Sequence, residues 1–175
     1  MSGKPIKMDM IPSFFTLGNL FFGFLSLLWT MNGGYKMAAG FILLSVLMDS
    51  MDGKVARKLS VSSDFGKELD SLCDVVSFGV APAILTYQLV LATHMGVWGM
   101  LLAAAFALCG AVRLARFNVL NISTHFLGVP ITFAGGLMAL MVLFYRNLPW
   151  LVFPVALAVL AVLMVSTFKV PKLGK

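Results

Sequence analysis

The sequence predicts an all-α integral membrane protein with six transmembrane helices. Three observations carry that expectation. Hydrophobic residues make up 60% of the chain and charged residues only 11%, with a mean hydropathy of +0.97, whereas a soluble domain carries roughly 25% charged residues. Six segments, at about 12–31, 35–57, 65–93, 96–120, 128–146 and 149–168, satisfy the length of roughly 20 mostly apolar residues that a spanning helix takes. Threading six spans then puts eleven of the thirteen Lys and Arg residues on one side, leaving Lys36 and Arg146 on the other. That asymmetry orients the chain with both termini in the cytoplasm.

The elements follow in order. The opening MSGKPIKMDM is short and basic, and residues 1–11 are expected to lie at the membrane interface, Lys4 to Ile11 in particular. The apolar run Ile11–Trp29 is long enough to span and lacks a small-residue cleavage site, so it reads as a retained first helix rather than a secretory signal. Asn32-Gly33-Gly34 marks a tight turn before the second segment. Pro149 opens the last segment at a position where proline is tolerated. Residues 12–168 form one membrane unit with no repeat, low-complexity tract or linker, and 169–175 form a basic cytoplasmic tail.

The net charge of +6 follows from this topology and from attraction to anionic headgroups. It gives no indication of nucleic-acid binding. Cys73 and Cys109 have no CxxC pairing, so neither a disulfide framework nor a zinc site is expected. Both read as small buried side chains.

The second and third segments are apolar only in part. Their meeting ends, DSMDGKVARKLSVSSDFGKELDSLCD over 49–74, hold six of the seven acidic residues. Asp49 and Asp52 are three apart and Asp70 and Asp74 four apart, so each pair shares a helical face. At about 100° per residue, Asp49, Asp52, Gly53, Ala56 and Arg57 fall within roughly 140°. Gly66, Asp70, Cys73, Asp74 and Ser77 share about 100° by the same count.

An aspartate within the membrane costs roughly 2.5–3.5 kcal/mol, less near the interface. Four of them would not gather without cations, and one arginine does not neutralise four charges. Two divalent metals could, and a metal pair is the usual apparatus for displacement at phosphorus. All-carboxylate ligation favours Mg²⁺ or Mn²⁺. Gly53, Ala56 and Gly66 would leave a furrow for a ligand. A competing reading pairs the carboxylates with Lys54, Arg57, Lys58 and Lys67 in loop salt bridges.

The same stretch resembles the signature of the CDP-alcohol phosphotransferase family, D-x2-D-G-x2-A-R-x8-G-x3-D-x3-D, at Asp49, Asp52, Gly53, Ala56, Arg57, Gly66, Asp70 and Asp74. The resemblance implies six membrane helices, a homodimer, and transfer of a phosphatidyl or related group from a CDP-linked donor to an alcohol. It implies that Asp49, Asp52 and Asp70 hold two divalent cations, with Asp74 as a further ligand and the general base. Gly53, Ala56 and Gly66 would line the cytidine pocket and Arg57 would contact donor phosphate. Pro12, Thr16 and Asn19 in IPSFFTLGN match positions that commonly face the nucleotide.

The stretches VVSFGVAPA, RLARFNV and FLGVPITFAGG are similar to the phosphatidylserine synthase branch of that family. That likeness implies CDP-diacylglycerol or archaeal CDP-archaeol as donor, L-serine as acceptor and membrane lipid as surroundings. Arg113 and Arg116, three apart, could hold the carboxylate of a zwitterionic acceptor or snorkel to headgroups as anchors. Ser77 and Asn118 are weaker candidates for acceptor contacts. Glycerol phosphate or inositol phosphate remains an alternative acceptor, and a cation transporter an alternative class. Pro130, Gly135 and Gly136 read as packing residues of the fifth span. His94 reads as structural, and His125 as a loop residue.

Overall fold

A computed structural model describes residues 10–59, 64–120, 126–166 and 169–170. It is an all-α membrane bundle of six helices: α1 Met10–Met31, α2 Tyr35–Leu59, α3 over 64–95, α4 Val97–Leu120, α5 Ile131–Leu143 and α6 Val152–Val165. Helix α1 includes Met10 and Ile11, which were expected at the interface; residues 1–9 and 171–175 lie outside the described residues.

The membrane character is written in which residues face outward. Along α1, Phe14, Leu17, Phe21, Phe24 and Leu28 are exposed, while Thr16, Asn19, Ser26 and Thr30 are buried. Both sets follow the helical period, in steps of three, four or seven residues, so α1 is amphipathic with its polar stripe inward. Water would invert that arrangement, whereas lipid favours it, because in hydrocarbon the polar groups must find partners inside the protein. The windows Phe14–Met31, Phe65–Met95 and Val97–Val119 are long and apolar enough to cross a bilayer on length and composition alone. At 13 and 14 residues, α5 and α6 reach only about 20 Å. A short 3₁₀ helix, Tyr145–Asn147, follows α5.

Turns form where the backbone can reverse. Gly33 takes φ +76° between α1 and α2, and Gly96 takes φ +53° between α3 and α4. Helix α3 is not regular: its turns widen to the π type over Val75–Val80 and again over Tyr87–Leu91. Each widened turn re-phases the faces of the helix. The 100° count that groups Ser77 with Asp70 and Asp74 therefore loses its basis at Val75.

Small residues allow close helix approach. A methyl group added at Gly135 of α5 would lie 2.6 Å from the Phe78 carbonyl oxygen of α3, and one at Gly136 would lie 3.4 Å from Val46 of α2. The expected packing role of these glycines is what the structure displays. Helix α5 thereby sits inside the bundle, with Ile131, Ala134, Met138 and Val142 buried.

At the end where α4 and α6 finish and α5 starts, Phe126–Leu127 (β1) pairs antiparallel with Lys169–Val170 (β2). The first two residues of the predicted tail thus pair with the segment that leads into α5. Gly128, at φ +72°, lies flush against α6: a methyl group there would meet the Met164 carbonyl oxygen at 2.6 Å. The Val129 N–H caps the Leu163 carbonyl at 3.2 Å, satisfying one of the acceptors left over at the end of α6.

Two glycines give a matched test. Gly135→Ala should destabilise the detergent-solubilised protein by about 1–3 kcal/mol through backbone overpacking. At Gly40, a methyl group would meet nothing within 4 Å, and Gly40→Ala should be neutral or stabilising by about 0.5–1 kcal/mol. Thermal unfolding of the two variants side by side checks the contrast.

Candidate active site

Asp49 and Asp52 sit on α2, and Asp70 and Asp74 on the regular first part of α3. One carboxylate oxygen from each of Asp49, Asp70 and Asp74 lies within 4.8 Å of the others. Asp52 stands outside this trio but close by, since its charge acts on Asp74. Asp52 and Asp74 are 7% and 6% exposed. Two like charges about 4 Å apart repel by about 4 kcal/mol at an effective dielectric of 20. Asp49, Asp70 and Asp74 converge with Asp52 near them, and the cluster is electrostatically costly by itself.

Three of the four are held by neutral donors from other helices. The Thr16 hydroxyl of α1 donates to Asp52 Oδ2 at 3.3 Å, and Asn19 Nδ2 donates to Asp74 Oδ1 at 3.0 Å. The Thr132 side chain, on the first turn of α5, hydrogen-bonds Asp49. Asp70 Oδ1 is buried without a hydrogen-bond partner. Neutral donors fix side-chain rotamers without cancelling charge.

This donor set suits a divalent cation. The trio offers only hard oxygen ligands, the chemistry that Mg²⁺ and Mn²⁺ take, and the orphaned Asp70 oxygen lacks any proton donor of its own. Burial of Asp52 and Asp74 argues against the reading as loop salt bridges for these two carboxylates. At Gly53, among the described residues, an added methyl group would meet nothing within 4 Å, so the surface beside Asp52 is open. Gly66 lies on the first turns of α3, within Asp64–Asp74. The side chains of Ala56 and Arg57 lie outside the described residues, as does His125.

Sequence reasoning sends Thr16 and Asn19 toward a nucleotide. In the structure both are buried and bonded to the aspartates. Ser77, grouped with acceptor contacts, is fully buried and donates to the Asn19 carbonyl at 3.1 Å. Asn118 donates to Ser71 Oγ at 3.0 Å, tying α4 to α3, with Glu68 Oε1 at 3.4 Å. Arg116 donates to the Val165 carbonyl at 3.1 Å and so braces the end of α6. Arg113 differs from all of these: it is half-buried, its Nε has no partner, and it lies close enough to Asp74 for their charges to interact.

The residue that sequence reasoning passed over is Thr132. Its only signal is its place within FLGVPITFAGG, two residues after Pro130, at the end of α5 that faces the carboxylates. His94 and the cysteines behave as expected of structural residues. The His94 ring stacks on Trp150 at 4.7 Å and bonds the Val90 carbonyl; Cys73 is buried and Cys109 partly so.

Residues 9–166 match the family described as CDP-alcohol phosphatidyltransferase. The chain is 38% identical over 96% of its length to a CDP-diacylglycerol–serine O-phosphatidyltransferase of Bacillus subtilis, covering 93% of that protein. A protein of the same name from Methanocaldococcus jannaschii is 41% identical over 95% of the chain and 76% of its own length. An archaetidylserine synthase of Methanothermobacter thermautotrophicus is 39% identical over 93% of the chain and 70% of its own length.

Loss of one carboxylate tests the site directly. Asp70→Asn should weaken Mn²⁺ binding by more than tenfold, read by electron paramagnetic resonance of free Mn²⁺ over purified protein, with helix content unchanged. Unaltered Mn²⁺ affinity would remove Asp70 from the cation site.

Proposed function

The chain belongs to the CDP-alcohol phosphatidyltransferase family, and from that premise we propose that it transfers a phosphatidyl group from CDP-diacylglycerol, or the archaetidyl group of CDP-archaeol, to the hydroxyl of L-serine, releasing CMP. The relatives named for serine transfer support this acceptor, and those named for both lipid types leave both donors open. The observation that carries the reading is the trio Asp49, Asp70 and Asp74 with the unpaired Nε of Arg113 beside it.

The serine hydroxyl attacks the phosphorus bearing the lipid. A new P–O bond forms, the P–O bond to CMP breaks, and Asp74 takes the hydroxyl proton. An alcohol is a weak nucleophile at neutral pH, so a positioned carboxylate lowers the barrier by general-base catalysis. Two divalent cations, Mg²⁺ or Mn²⁺, held among Asp49, Asp52, Asp70 and Asp74 would neutralise the diphosphate and the departing CMP. The open face at Gly53 suits close approach of the cytidine, together with Ala56 and Gly66, and Arg57 would contact donor phosphate.

Arg113 is the acceptor anchor in this reading. A guanidinium with an unpaired Nε matches the carboxylate of serine, whereas Arg116, Asn118 and Ser77 each make a bond within the protein. A phosphate-bearing acceptor, a dianion, calls for a denser basic cluster. Location at one end of the helices lets acyl chains enter from lipid while serine and nucleotide arrive from water. The excess of Lys and Arg at that end supports a site on the cytoplasmic face of the cell membrane, and the family resemblance supports a homodimer.

Purified protein given CDP-diacylglycerol or CDP-archaeol should release CMP with serine and stop in excess chelator. Release only with glycerol phosphate or inositol phosphate would overturn the acceptor. Arg113→Ala should raise the KM for serine by about 10- to 100-fold, the loss of a hydrogen-bonded charge pair worth about 1.5–3 kcal/mol, with the donor KM changed far less. Arg116→Ala should lower thermal stability and leave the serine KM within about threefold, as expected of a helix-end brace. Equal effects of Arg113→Ala on both substrates would argue against acceptor recognition.

A further inference from the structure

We infer that Asn19 is a positioning residue that locks Asp74 in the cation site, and not a contact to the nucleotide. The inference deepens the proposed function, since it takes the carboxylate cluster as a cation site. Three features of Asn19 converge on it. Its side chain is completely buried, so a nucleotide could reach it only by prising α1 away. Nδ2 donates to Asp74 Oδ1 at 3.0 Å. Its own carbonyl accepts two hydroxyls, from Ser45 of α2 at 3.0 Å and from Ser77 of α3 at 3.1 Å.

Those two serines lie on the helices that bring the aspartates. Asn19 therefore joins α2 and α3 through its main chain and fixes Asp74 through its side chain. The widened turn that begins at Val75 turns Ser77 inward, directly after Asp74. Gly23, one turn further along α1, keeps the helices close: a methyl group there would come within 2.9 Å of the Ser77 Cα. The position of Asp74 is thus set by α1.

The residue type follows from the charges. A lysine or arginine at position 19 would satisfy Asp74 by neutralising it and would compete with a cation. An aspartate would add a further buried negative charge. An amide donates while carrying no charge, so it immobilises one oxygen of Asp74 and leaves the cluster's negative charge intact. Thr16 acts in the same sense on Asp52, three residues earlier on the same face of α1.

The test separates positioning from nucleotide binding. Asn19→Leu, close in size but without a donor, should weaken Mn²⁺ binding by about 10- to 100-fold in electron paramagnetic resonance titrations without substrate, the usual penalty for losing a partner behind a metal ligand. The fall in kcat should be in the same range, while the KM for the CDP-linked donor at saturating Mn²⁺ stays within about twofold. Where Asn19→Leu does not fold, Asn19→Ala serves, with the same expectation. Wild-type Mn²⁺ affinity in a folded variant, with or without a raised donor KM, overturns the inference. Absence of Mn²⁺ binding by the wild-type protein overturns instead the cation-site reading on which it rests.

Discussion

Four aspartates brought together at one end of a membrane bundle impose the constraint that the rest of this structure answers. In water such a group would be relieved by solvent and salt. Here Asp52 and Asp74 are almost wholly buried, and the cost of crowding their charges is not screened away. Full pairing with lysine or arginine would remove the cost and also the cluster's attraction for a cation. The described residues take the other course. Thr16, Asn19 and Thr132 hold three carboxylates by neutral hydrogen bonds, and Asp70 keeps a buried oxygen unpaired. The fold thus retains negative charge where a divalent ion can offset it.

That choice determines the packing around it. The three neutral donors come from α1 and α5, so both helices must approach α2 and α3 closely. Gly23 and Gly135 supply the close approach, each lying against the α3 backbone near Ser77 and Phe78. The π-type turn over Val75–Val80 sits at this crossing. It aims Ser77 at the Asn19 carbonyl immediately after Asp74 has been aimed at the site. Substrate chemistry and helix packing meet within four residues of α3.

The bundle and the aspartates were legible because their signals are local. Apolar length predicts the spans, and the i,i+3 and i,i+4 spacing of Asp49, Asp52, Asp70 and Asp74 survives because α2 and the start of α3 are regular helices. Legibility ends where a non-local or irregular feature intervenes. Ser77 follows a widened turn that no composition signal marks, and its bond to the Asn19 carbonyl is not legible in the sequence. Thr16 and Asn19 were recognised as important, but their partners lie 36 and 55 residues away, a pairing fixed by tertiary packing. Thr132 was missed for the same reason. Arg113 and Arg116 look equivalent in RLARFNV, and only the position of the end of α6 distinguishes them.

That distinction bears on how one fold could take different acceptors. Arg116 and Val129 both bond carbonyls in the last turn of α6, beside the β1–β2 pair, and one N–H of Arg116 is spent there. Asn118 is likewise spent on α3. What remains beside Asp74 is the guanidinium of Arg113, whose Nε has no partner. A single planar cation matches a carboxylate in charge and shape, and its nearness to Asp74 would place the hydroxyl of a short amino acid near the proposed base. A bulkier or dianionic acceptor would need the neighbouring arginine as well, and diverting Arg116 would cost the end of α6 its bond at the Val165 carbonyl. Under the proposed function the two arginines divide the work: Arg113 would meet the acceptor, while Arg116 supports the end of α6.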